Sequence, residues 1–137
     1  MQPTDTPRTW TLDIPCPAGA SMSSLNKRQQ HRYATAERAA WRKVTKEAAM
    51  AARLPYGLGR CHLTALLRFR TNRVRDANNY AGLTKVIVDA LVSRGTWPGD
   101  DARYVIGPDH RIGDLLPKVK FQTPGRVILV IRELGVR

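Results

Sequence analysis

Nine residues, Cys61 to Phe69, alternate in character with one exception, Leu66. Cys61, Leu63, Ala65, Leu67 and Phe69 fall on one side, and His62, Thr64, Leu66 and Arg68, with Arg70 beyond, fall on the other. Successive side chains of a strand point to opposite faces, so this run specifies a strand with one face in a core. Its other face is open to two readings, a solvated surface or one turned to nucleic acid. A strand of this kind needs sheet partners, and the flanking segments supply them.

Trp10, Leu12 and Ile14 alternate with Thr11 and Asp13, which predicts a short strand ended by Pro15 and Pro17. Residues 1–9 are polar and contain two prolines, and they read as a flexible N-terminal segment ahead of one domain over 10–137. Ala18 to Tyr33 reads as a long surface loop. Thr35 is a candidate N-cap for a helix to about Arg53, with Trp41, Val44, Ala48, Ala51 and Ala52 on its apolar face. A second helix is expected from near Asn79, with Tyr80, Leu83, Ile87, Ala90 and Leu91 inward and Gly95 as its stop. Tyr104 to Ile106 reads as a short strand ended by Gly107-Pro108, Asp109 to Lys118 as loop, and Val127 to Arg132 as a buried strand. The order β-α-β-α-β-β predicts a single small α/β (α+β) domain with a mixed sheet and two main helices.

The chain of 137 residues carries 23 Lys+Arg against 11 Asp+Glu, a formal charge of +12. The excess is spread over both halves, so no neutral domain with a basic tail is present. Such a field concentrates polyanions and points to nucleic acid. Two cysteines, Cys16 and Cys61, make neither a disulfide framework nor a Cys-based metal site. No apolar run approaches the roughly 20 residues of a membrane span, and no signal peptide opens the chain. A cytoplasmic protein with reduced thiols is expected.

Against this basic background, four of the acids fall between Arg75 and Asp101: Asp76, Asp89, Asp100 and Asp101. Magnesium takes oxygen ligands, commonly one or two carboxylates plus water and phosphate. Phosphodiester hydrolysis needs an activated water and neutralised charge on the leaving oxygen, and one or two metals supply both. Asp76 is placed at a strand-to-helix junction and Asp101 after the helix, so the chain must fold Asp101 back towards Asp76 for the two to meet. Asn78 and Asn79 are natural capping residues. Lys85 either reaches a phosphate or pairs with Asp89 at i,i+4. Asn26, Lys27, Arg28, His31 and Arg32 form a basic loop suited to phosphate. Trp97 reads either as core or as a base-stacking wedge.

At these residues the chain resembles the RusA family of Holliday-junction resolvases, crossover junction endodeoxyribonucleases carried by phages and prophages. The likeness runs from Trp10 to Leu134. It includes Ile14-Pro15-Cys16-Pro17, the Asn26-to-His31 loop, Arg75-Asp76-Ala77-Asn78-Asn79, Lys85-Val86-Ile87-Val88-Asp89-Ala90-Leu91, Gly95 and Asp100-Asp101. The resemblance implies a homodimeric, Mg²⁺-dependent (or Mn²⁺-dependent) nuclease of the bacterial cytoplasm. Its role would be to nick four-way junctions in paired cuts during DNA recombination and repair. Two related cuts on a two-fold junction suit a C2 dimer. By motif, Asp76 and Asp101 would be metal carboxylates, Asp100 a neighbouring one, and Lys85 the catalytic lysine. Arg73, Arg75 and Asn79 join the Asn26-to-Arg32 loop as expected DNA contacts. The family pattern is Asp-x-Asp-Asn, whereas here Asn78 stands at the second acid. Three extra residues separate Asp76 from Lys85, and one extra precedes the Asp pair. These departures leave two readings: a variant site that recruits another acid, with Asp89 the nearest, or a DNA-binding protein with weakened metal binding.

Overall fold

The structure, a computed structural model, describes residues 7–22, 31–119 and 123–134. The strand predicted from alternation is β2, Cys61–Phe69, and every second residue of it is buried. It pairs on one side with the antiparallel β4, Gly125–Glu133, and on the other with the parallel β3, Val105–Ile112. The first strand, β1, Thr9–Pro15, pairs antiparallel with β4, giving the sheet order β1-β4-β2-β3. The inner face is apolar across β1, β4 and β2: Leu12 and Ile14, Val127, Leu129 and Ile131, then Leu63, Ala65 and Leu67 are all fully buried. Two helices complete a small α+β domain with a mixed four-stranded sheet, as the sequence predicts.

Helix α1, His31–Ala51, packs on α2, Ala81–Arg94, and on β1. It begins four residues before the predicted cap Thr35, so His31, Arg32 and Tyr33 belong to a helix and not to the predicted loop. Its buried face is Trp41, Thr45, Ala48 and Ala49. Thr45 was not foreseen there, because a hydroxyl is costly to bury alone; it donates to the Trp41 carbonyl at 2.7 Å. Ala51, assigned to the apolar face, is exposed, since the helix ends at that residue and the chain turns away through Arg53, whose φ is 55°.

A 3-10 turn, Ala77–Tyr80, precedes α2, so the regular helix begins two residues later than read from sequence. Asp76 caps this turn by accepting the Asn78 backbone N–H at 3.0 Å. Helix α2 buries Leu83, Thr84, Val86, Ile87, Val88, Ala90 and Leu91, leaving only a narrow outer stripe that includes Lys85 and Asp89. Gly95 ends it in the left-handed conformation, as predicted, with its N–H bonded to the Leu91 and Val92 carbonyls.

The strand predicted to stop at Gly107-Pro108 continues through them to Ile112, so Asp109 to Ile112 are strand and not loop. The β2–β3 register shifts between His62 and Thr64, which accommodates the extra residue as a bulge. Proline is tolerated there because β3 is an edge strand. Gly107 is required at the shift: its φ is 97°, and an added Cβ would sit 2.6 Å from the Leu63 carbonyl oxygen. Thr9, predicted loose, is the first residue of β1. It is reached through Arg8, whose guanidinium donates two bonds to Glu133 at 2.8–2.9 Å.

Among the described residues no helix is long and apolar enough to cross a membrane.

Candidate active site

The β2–α2–β3 crossover fixes where each candidate residue lies. Strands β2 and β3 are parallel, with Cys61 opposite Val105. Asp76 follows the C-terminal end of β2, while Asp101 precedes the N-terminal end of β3. Between them runs α2, about 21 Å long at ~1.5 Å per residue. Within one chain, Asp76 and Asp101 therefore stand at opposite ends of the crossover.

At the Asp76 end, Phe69 closes β2 and packs its ring against Tyr80, with centroids 5.3 Å apart. Arg75 folds inward over the same Phe69 ring, 3.8 Å from its centroid. It donates to the Thr71 carbonyl at 2.9 Å and to the Thr71 hydroxyl at 3.0 Å. Two clefts adjoin along this clamp. One, about 460 Å³, is lined by Arg73, Val74, Arg75, Asp76, Asn79 and Tyr80 among others. The other, about 660 Å³, is lined by Arg70, Thr71, Arg75, Pro117, Lys118 and Val119 among others. The four predicted residues Arg73, Arg75, Asp76 and Asn79 thus share one cleft. Arg70 and Lys118 were missed. The run Arg70-Thr71-Asn72-Arg73-Val74-Arg75 carried a signal for the first, but Lys118 reaches the cleft only through the fold.

In the first half of α2, Lys85 lies 3.7 Å from Asp89, the i,i+4 pairing read from sequence, and 3.7 Å from Asp100. The turn Trp97-Pro98-Gly99 brings Asp100 back alongside the helix as far as Lys85, short of Asp76. Trp97 anchors this turn and is core, only 1% exposed, with its indole N–H donating to the Gly59 carbonyl at 3.1 Å. Asp101 is held differently. Arg103 donates to both of its oxygens at 2.9 Å, and the Arg103 backbone N–H adds a third bond at 3.0 Å. These bonds, the side-chain pair first, hold the Asp101 carboxyl down to about 2. The Asp-x-Arg spacing was visible in sequence, but its clasp was not read there.

Asp89 and Asp100 flank a cationic nitrogen, and Asp76 makes a single backbone bond through one oxygen. Among the described residues no group of three His, Cys, Asp or Glu gathers in one place. Asn26, Lys27 and Arg28 lie outside the described residues, and His31 and Arg32 open α1.

His110 joins the sheet to α2: its Nε2 lies 2.7 Å from the Thr84 hydroxyl, one turn beyond the residues that carry Asp76. Burial lowers the His110 pKa from its usual value, opposed by Asp109. Above about pH 6.5 the imidazole is neutral in both folded and unfolded chains, and its contribution to stability is complete. As pH falls below that, the unfolded chain takes up a proton that the folded chain resists, so stability declines. Melting curves from pH 8 to pH 5 are expected to show a falling Tm, with a shallower fall in His110→Gln. An equal fall in the variant would assign the slope to other groups.

The chain matches no protein-family model, and a search of curated proteins finds no match.

Proposed function

We propose that this protein is a Mg²⁺-dependent endonuclease that resolves four-way DNA junctions as a homodimer. One observation carries the reading: the carboxylate Asp76 stands in the same cleft as Arg73, Arg75 and Asn79, on a chain of charge +12. Beyond its cap on the 3-10 turn, a carboxylate among guanidinium groups works against simple polyanion binding, because it repels phosphate. It is useful where a cation must be held against that phosphate.

Asp76, Asp89, Asp100 and Asp101 would hold Mg²⁺, which when bound supplies charge neutralisation at the phosphate and activation of water. Arg73 positions the backbone, Arg75 fixes the segment that presents it, and Asn79 presents a neutral donor beside it. Lys85 keeps a positive charge between Asp89 and Asp100 until a substrate or cation competes for them. The opposite placement of Asp76 and Asp101 gives the dimer a task. A two-fold axis that sets two crossovers antiparallel brings Asp76 of one protomer towards the partner's Asp101, twice over. Two equivalent sites on one axis match two symmetric nicks.

A second reading is a junction-binding protein that does not cut, favoured by Asn78 in place of a carboxylate. Incubation of the purified protein with a synthetic four-way junction separates the two. Paired nicks that require Mg²⁺ or Mn²⁺ are expected. Salt-sensitive binding that is indifferent to metal, with no nicks, would establish the second reading instead.

A further inference from the structure

Val74 is fully exposed, at 106% of its reference area, at the crest of the segment between β2 and the 3-10 turn. A single exposed valine is ordinary on a protein surface. This one differs in its mounting. The residue after it, Arg75, does not extend to solvent but closes the segment on itself, over Phe69 and onto Thr71 and the Arg73 carbonyl. Phe69 is fixed in turn by Tyr80. The crest is therefore tied at both ends, and a β-branched side chain has little rotamer freedom to lose on contact.

Its surroundings specify what it meets. Arg73 and Asp76 share the cleft that Val74 lines, and across Arg75 lies the second cleft with Arg70 and Lys118. Pro124 borders both, so the two form one basic trough with an apolar crest beside it. Trp97, the aromatic residue that a sequence reading offers for base stacking, is buried in the core and is unavailable.

We propose that Val74 is a wedge that enters a base step at the branch point of a four-way junction and unstacks it, positioning the adjacent phosphate at Asp76. This rests on the junction-binding reading above. Apolar wedges between base steps are an established means of opening duplex DNA. The branch point favours one, because stacking is already interrupted there.

The test uses the full-length protein and a four-way junction with 2-aminopurine at the branch point, in EDTA so that no strand is cut. Saturating wild-type protein is expected to raise the fluorescence about threefold or more as the base unstacks. Val74→Ser should remove most of that rise while changing Kd by less than about threefold, because phosphate contacts dominate affinity. Val74→Leu should keep the rise, and both variants should melt with the wild type, since the residue is buried against nothing. Saturable binding without a wild-type rise, or a full rise in Val74→Ser, overturns the wedge and leaves junction binding standing. Absence of saturable junction binding overturns both.

Discussion

Asp76→Asn and Asp101→Asn should each lower junction cleavage by about two orders of magnitude or more, because loss of a carboxylate ligand weakens both metal affinity and charge neutralisation. The more telling result comes from mixing them. If the dimer pairs Asp76 of one protomer with the partner's Asp101, a heterodimer of the two variants has one site with both acids and one with neither. It should recover nicking at about half the wild-type site number. Its products should be singly nicked junctions rather than resolved duplexes. If each site drew both acids from one chain, every site in the heterodimer would lack one, and mixing would restore nothing. Differentially tagged protomers, purified as heterodimers and assayed on a labelled junction, decide the matter. Asp101 is exposed, so substitution there should leave the fold intact, although it releases Arg103. Binding to uncut junction in EDTA should persist in all three proteins.

Trp97→Ala should be among the most damaging single changes to stability, at about 3–5 kcal/mol. The indole is essentially fully buried in the core, and its removal leaves a cavity and a Gly59 carbonyl with only the weak Cys61 thiol as donor. For a domain of ordinary stability, roughly 5–15 kcal/mol in total, that is a large share. Trp97→Phe keeps much of the packing and loses the hydrogen bond, so about 1–2 kcal/mol is expected. Urea unfolding of the three proteins measures both steps. A loss under about 1 kcal/mol in Trp97→Ala would show that the site relaxes without a cavity. The consequence extends to function. The segment after α2 is laid down by Gly57 N–H to the Gly95 carbonyl, Leu58 N–H to the Thr96 carbonyl, and Trp97 onto Gly59. This seam delivers Asp100 to Lys85. Trp97→Phe is therefore expected to lower cleavage more than its stability loss alone would account for at a temperature where it remains folded.

The fold was legible where one residue's environment repeats along the chain. Alternation at Cys61–Phe69 and around Leu12 and Ile14 reports burial on one sheet face, and both strands appear where predicted. Gly95 signalled its helix end because a left-handed residue after a helix favours glycine. The predictions that failed are those where tertiary contacts override local preference. Gly107 and Pro108 look like a strand terminator, yet an edge position and a register shift against β2 let the strand pass through. Thr45 looks polar, yet its hydroxyl is satisfied within its own helix and the residue is fully buried.

For the candidate site, the sequence by itself determined the chemistry: a strongly basic chain, an acidic island within it, and Asp76 poised at a helix start. It also offered the Lys85–Asp89 pairing four residues apart as one of two readings, and the structure shows that pair. Only the tertiary structure decided the distances that matter. It gathered Arg73, Arg75, Asp76 and Asn79 around one cleft, added Arg70 and Lys118 beside it, and withdrew Trp97 into the core. It also set Asp76 and Asp101 apart. The physical reason is that a crossover between parallel strands must travel the length of the sheet, so Asp76 follows the C-terminal end of β2 while Asp101 precedes the N-terminal end of β3.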